Sequence, residues 1–120
     1  MKRHPHIMVV DDDRRMLRML KGTLEPNGYG VTTATDSSSA LTMLEKHMPD
    51  LIILDAMMPQ LDGFQVLNLV QQHSNTPIVI LTARSEAGPL HKHHSTNTDD
   101  YVRMPFQTGE LVNRIKAKLH

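Results

Sequence analysis

Three stretches without a polar member, Ile7-Met8-Val9-Val10, Leu51-Ile52-Ile53-Leu54 and Ile78-Val79-Ile80-Leu81, constrain this chain more than anything else in it. A strand with one wet face alternates apolar and polar residues. An unbroken apolar run of strand length is covered on both faces, the condition met inside a parallel sheet. Val31-Thr32-Thr33-Ala34 is more polar and suits an edge strand, and Tyr101-Val102-Arg103, closed by Pro105, suits a short fifth strand. Helical patterns lie between the runs. Leu17, Leu20 and Leu24 share a face that Pro26-Asn27-Gly28 ends. Ala40, Leu41, Leu44 and Met48 share another, after the capping candidates Asp36 and Ser37 and before Pro49. Phe64, Leu67 and Val70 follow the Asp62-Gly63 turn, and Leu111, Ile115 and Leu119 form the last stripe. Residues 85–98 are poor helix formers around Gly88-Pro89 and predict a short or mobile fourth helix. Strand then helix, five times over, predicts an α/β fold: a doubly wound five-stranded parallel sheet with helices on both faces. At 120 residues the whole chain, 1–120, is one domain.

Composition removes several functions. There is no cysteine, so disulfides, thiolate chemistry and cysteine-zinc sites are excluded. Thirteen basic residues balance thirteen acidic ones with no basic run, so the domain is a poor nucleic-acid binder by itself. Only 3% of residues are aromatic, which leaves aliphatic side chains and nine Met to fill the core. The apolar run after the charged N-terminus is too short for a signal peptide or a membrane span, and the cytoplasm is the expected location. Neither a dinucleotide nor a P-loop glycine pattern occurs. His91, His93 and His94 read as solvated surface, and Met57-Met58 as packing.

In a doubly wound sheet, ligands bind outside the carboxyl ends of the strands. Asp11-Asp12-Asp13 follow the first apolar run, Asp55 the second and Thr82 the third. Carboxylates gathered in one crevice repel each other unless a cation sits among them. Oxygen donors alone favour Mg²⁺, and a carboxylate beside Mg²⁺ is a competent nucleophile toward phosphorus. Any one of Asp11 to Asp13 could instead be a helix N-cap, but a cap explains neither three consecutive acids nor Asp55, which Ala56-Met57-Met58-Pro59 follow.

The runs through Asp11-Asp12-Asp13, Pro49-Asp50-Leu51-Ile52-Ile53-Leu54-Asp55-Ala56-Met57-Met58-Pro59, Leu61-Asp62-Gly63-Phe64 and Pro77-Ile78-Val79-Ile80-Leu81-Thr82-Ala83 resemble the receiver domain of bacterial two-component response regulators (CheY-like) over essentially the whole chain. The resemblance implies the flavodoxin-like strand order 2-1-3-4-5. It implies that Asp55 accepts a phosphoryl group from a sensor histidine kinase, with Asp11, Asp12, Asp55 and the backbone carbonyl of Met57 around Mg²⁺. Thr82 would bond a phosphoryl oxygen and Tyr101 would reorient on activation. The implied role is a signalling switch whose only chemistry is its own phosphorylation and dephosphorylation. The last helix resembles that of receivers preceding a winged-helix DNA-binding domain. That subfamily implies pairing through the fourth helix, fifth strand and fifth helix, to which Glu110, Arg114 and Asp99 or Asp100 would add charged contacts. DNA would then be reached only through a further domain.

One position departs from the family. A Lys usually precedes the Pro-Phe that ends the fifth strand, and here Met104 does. Arg103 should face away, since neighbouring strand residues point to opposite sides. Arg84, two residues beyond Thr82, is the better candidate for reaching the phosphate. Met104 leaves open a pseudo-receiver, an interaction module that signals without phosphate. A metal-dependent hydrolase using the Asp11-x-Asp13 pair is a third reading, against which Arg15 and the lack of a cap domain weigh.

Overall fold

The computed structural model describes residues 4–55, 76–83 and 100–119. Each apolar run is a strand: β1 (His6–Val10), β3 (Leu51–Asp55) and β4 (Ile78–Ala83). With β2 (Gly30–Ala34) and β5 (Asp100–Met104) they form one parallel sheet in the order β2-β1-β3-β4-β5. The apolar residues of β1, β3 and β4 from Ile7 to Val10, Leu51 to Leu54 and Ile78 to Leu81 are buried, as central parallel strands require. At the edge, β2 is only partly buried up to Ala34, which explains its two threonines.

Alternation along the strands divides the core in two. Ile7, Val9, Leu51, Ile53, Val79, Leu81 and Val102 pack against α1 (Arg14–Leu24) and the C-terminal helix α3 (Thr108–Leu119). Met8, Val10, Ile52, Leu54, Ile78 and Ile80 pack on the other face with Ala40 and Leu44 of α2 (Ser37–Lys46). The predicted stripes supply the contacts: Leu17, Leu20 and Leu24 from α1, Leu111, Val112 and Ile115 from α3.

Two helix ends differ in detail from the sequence reading. A 3-10 turn, Glu25–Asn27, extends α1 before Gly28, whose φ of 95° is the left-handed conformation that favours glycine. The second helix stops at Lys46 because His47 is extended, so Met48 lies beyond it and reaches the same core cluster from the loop. Among the described residues, no helix is long and apolar enough to cross a membrane. The predicted third helix (Phe64, Leu67, Val70) and the segment 85–98 lie outside the described residues.

Candidate functional site

Strand register builds the site. Val10 pairs with Leu54, so the next residue of each strand, Asp11 and Asp55, come level at the carboxyl end of the sheet. On the other side Asp55 pairs with Leu81, and Thr82 follows one step on. The Asp11 N–H donates to the Ala34 carbonyl (3.0 Å), which carries the β1–β2 ladder into the site. Asp11 is 1% exposed and Asp55 7%, whereas Asp12 is exposed. One carboxylate oxygen from each of Asp11, Asp12 and Asp55 falls within 4.8 Å of the others.

The three consecutive acids divide their work. Asp13 is the α1 N-cap: its Oδ1 accepts from the N–H of Arg15 (2.9 Å) and of Met16 (3.4 Å). Its own N–H donates to Asp11 Oδ1 (2.9 Å), fixing the Asp11 carboxylate. The cap therefore turns Asp13 toward the helix and leaves Asp11 and Asp12 for the cluster. The D-x-D hydrolase reading needs Asp11 and Asp13 to act together, and Asp13 is occupied elsewhere.

Asp11 Oδ2 is buried and has no hydrogen-bond partner. Burial, opposed by the Asp13 N–H and reinforced by neighbouring Asp55 and Asp12, lifts the Asp11 carboxyl from its ordinary 3.8 to about 7. A direct Asp11–Asp55 hydrogen bond needs a proton on one of the two carboxyls, because two carboxylates are acceptors only. Once both are ionised, Oδ2 is an orphaned buried acceptor. A hard divalent cation satisfies that atom and offsets the repulsion, and an all-oxygen donor set suits Mg²⁺ or Ca²⁺ rather than softer ions.

Thr82 and Tyr101 lie on β4 and β5, with Ile80 beside Tyr101 and Thr82 beside Arg103. Met57, Arg84, Asp99 and His91, His93 and His94 lie outside the described residues. Met104 ends β5 next to Ala83 and is partly buried against the core cluster of the α1 and α3 side. On α3, Arg114 Nη2 stands 3.6 Å from Glu110 Oε2 one turn away, a half-exposed intrahelical pair. The burial of Asp11, and the pKa that follows from it, had no sequence signal, because both depend on which strands flank it.

The model of the response regulator receiver domain family matches residues 7–116. The DNA-binding response regulator MtrA of Mycolicibacterium smegmatis is 38% identical over 113 residues, 94% of this chain and 50% of that protein. The ycf27 protein of Guillardia theta is 39% identical over 113 residues, 94% of this chain and 44% of its own length. The chain thus spans about half the length of the curated relatives it matches. Among solved structures, the receiver domain of Francisella response regulator 1452 superposes with a TM-score of 0.83 at 34% identity, covering 96% of each chain. That of NtrX from Brucella abortus gives 0.81 at 27%, covering 94% of this chain and 97% of its own. The strand-end acids and these likenesses point the same way, and the chain belongs to the response regulator receiver domains of two-component systems.

Proposed function

We propose that Asp55 is the phosphoacceptor and that Asp11 and Asp12, with Asp55, hold Mg²⁺ during transfer. The observation that carries this reading is the convergence of the three carboxylates within 4.8 Å, Asp55 among them at the end of a central strand. Bound Mg²⁺ supplies charge neutralisation and orientation of the phosphoryl oxygens. Asp55 contributes the carboxylate oxygen that forms the new P–O bond as the P–N bond of a kinase phosphohistidine breaks. Asp11 is held through Oδ1 by the Asp13 N–H, and its second oxygen is buried without a hydrogen-bond partner. Thr82 serves as hydroxyl donor to a phosphoryl oxygen, Arg84 as a nearby cation, the Met57 carbonyl as a further metal ligand and Tyr101 as the responding aromatic.

The domain is a switch and turns over no separate substrate. Its partners are a sensor histidine kinase and, by analogy with MtrA, a DNA-binding output segment; paired copies meet through β5, α3 and the predicted fourth helix. The reading includes the full five-strand order with β5 at the edge and a cytoplasmic setting. Met104 gives the pseudo-receiver its one point of support, since an apolar side chain packed against the core stands where the family has a cation.

Incubation with acetyl phosphate and Mg²⁺, followed by intact mass, separates the readings. A one-phosphate adduct that needs Mg²⁺ and disappears in Asp55→Asn supports the receiver. No adduct supports the pseudo-receiver, and rapid multiple turnover of acetyl phosphate supports the hydrolase.

A further inference from the structure

Asp11 is anchored through both its backbone and its side chain. Its N–H donates to the Ala34 carbonyl of β2 (3.0 Å), and its Oδ1 accepts from the Asp13 N–H (2.9 Å). Asp13 is in turn pinned at the start of α1. Its carboxylate caps the Arg15 and Met16 amides, and its carbonyl accepts from the Leu17 N–H (3.1 Å). The Asp13 N–H is therefore placed by the helix start and does not follow the Asp11 carboxylate if that group turns.

The two oxygens of Asp11 are thereby made unequal. Oδ1 holds a hydrogen bond, whereas Oδ2 is buried with no hydrogen-bond partner. A cation shared by both oxygens competes with the Asp13 N–H for Oδ1. One held by Oδ2 alone does not.

Ca²⁺ and Mg²⁺ differ in this demand. Ca²⁺ takes roughly six to eight oxygens in a flexible shell, often both oxygens of one carboxylate. Mg²⁺ requires a compact octahedron, keeps several waters and takes few carboxylate oxygens. Asp12 is exposed, so water reaches the cluster. A pinned carboxylate with one available oxygen suits Mg²⁺ and handicaps Ca²⁺.

We propose that the Asp13 backbone N–H determines cation specificity: by occupying Oδ1 it restricts Asp11 to one-oxygen binding and biases the cluster of Asp11, Asp12 and Asp55 toward Mg²⁺ over Ca²⁺. The inference rests on the metal role proposed for that cluster and adds the choice between two hard cations, which an all-oxygen donor set leaves open. Side chain and backbone of Asp13 then serve different ends, the carboxylate holding α1 and the amide holding Asp11.

The test is calorimetric titration of the full chain with Mg²⁺ and, separately, with Ca²⁺ at about pH 8, read as the ratio of the two dissociation constants. A ratio cancels losses that a merely loosened fold imposes on both ions. Asp13→Ala deletes the cap and keeps the N–H, and should weaken both ions alike. Asp13→Pro deletes cap and N–H together, and should move the ratio toward Ca²⁺ about tenfold, the scale on which hydrogen-bond partners of metal ligands act. Amide hydrogen exchange of the unmodified protein needs no variant to fold: the Asp13 N–H should be protected without metal and stay protected at saturating Mg²⁺. The same ratio in all three proteins, a shift in Asp13→Ala as large as in Asp13→Pro, or loss of Asp13 protection on Mg²⁺ binding overturns the inference alone. Mg²⁺ binding that is absent, or that survives both Asp11→Asn and Asp55→Asn, overturns the metal role of the cluster and this inference with it.

Discussion

Asp11→Asn should make the metal-free domain more stable at neutral and alkaline pH. In the folded protein Asp11 holds its proton up to about pH 7, whereas the unfolded chain releases it near 3.8. Below 3.8 both states are protonated and burial of the carboxyl carries no ionisation cost. As pH rises toward 7 the unfolded chain ionises first, so stability is lost progressively, and above 7 the loss is complete. A separation of about three units corresponds to at most ~4 kcal/mol, at about 1.4 kcal/mol per unit. Asparagine removes that cost while keeping the local geometry. Its Oδ1 still accepts from the Asp13 N–H, and its neutral amide takes the place of the buried, unpartnered Oδ2.

The assay is thermal or urea unfolding of both proteins in chelator at about pH 4, 6 and 8, then with excess Mg²⁺. At pH 8 the variant should gain about 2–4 kcal/mol, on the order of 10 °C in Tm for a domain of this size. The gain should shrink toward zero at pH 4. Mg²⁺ should then stabilise the parent protein and leave the variant nearly unchanged, because a ligand stabilises only the state that binds it. A variant no more stable than the parent at pH 8, or a difference equal at pH 4 and 8, refutes the account of Asp11 as a buried carboxylate held against its neighbours.

Asp13→Ala should cost about 1 kcal/mol of stability through loss of the α1 cap, with far less effect on Mg²⁺ affinity than Asp11→Asn; parallel unfolding and Mg²⁺ titrations measure both. Gly30→Ala should destabilise by about 1–3 kcal/mol, because the new Cβ meets the held His6 ring at 2.9 Å; urea unfolding reads the cost, and the His6 ring resonances should shift. On the proposed function, Met104→Lys should enlarge the amide-shift change at β5 produced by a phosphate mimic, since a charged hydrogen bond is worth roughly 1.5–3 kcal/mol, tenfold or more in a two-state equilibrium. An unchanged response would count against a weakened switch.

The fold was legible because burial on both faces leaves an unmistakable trace: no polar residue interrupts 7–10, 51–54 or 78–81. The acids at the strand ends were legible for the related reason that a parallel sheet brings like ends together. Which acid does what was not. A helix cap and a metal ligand draw on the same residue type, and only the turn of chain that aims Asp13 at the Arg15 and Met16 amides separates it from Asp11. The raised Asp11 carboxyl was invisible because its cause, enclosure by neighbouring strands, is tertiary. Met48 shows the opposite case: the periodicity assigned it to a helix that ends two residues earlier, yet its packing was read correctly.

Met104 changes how the acidic pole must be neutralised. Asp11, Asp12 and Asp55 bring up to three negative charges together, and a phosphoryl group on Asp55 would add to them. The family resemblance implies a lysine at the end of β5, which would meet part of that charge with its own side chain. Here the same position is spent on an apolar contact with the core beneath α1 and α3, which a charged side chain makes only at a desolvation cost. On the proposed function, the neutralisation therefore falls more heavily on the cation that Asp11, Asp12 and Asp55 would hold. On the proposed reading, metal and phosphoryl group are then coupled more tightly than where a lysine shares the load, because each removes more of the repulsion that the other's absence leaves. The packing of Met104 and the orphaned oxygen of Asp11 are in that sense one feature: both leave the charge at the strand ends to be met by something other than a side-chain cation at 104.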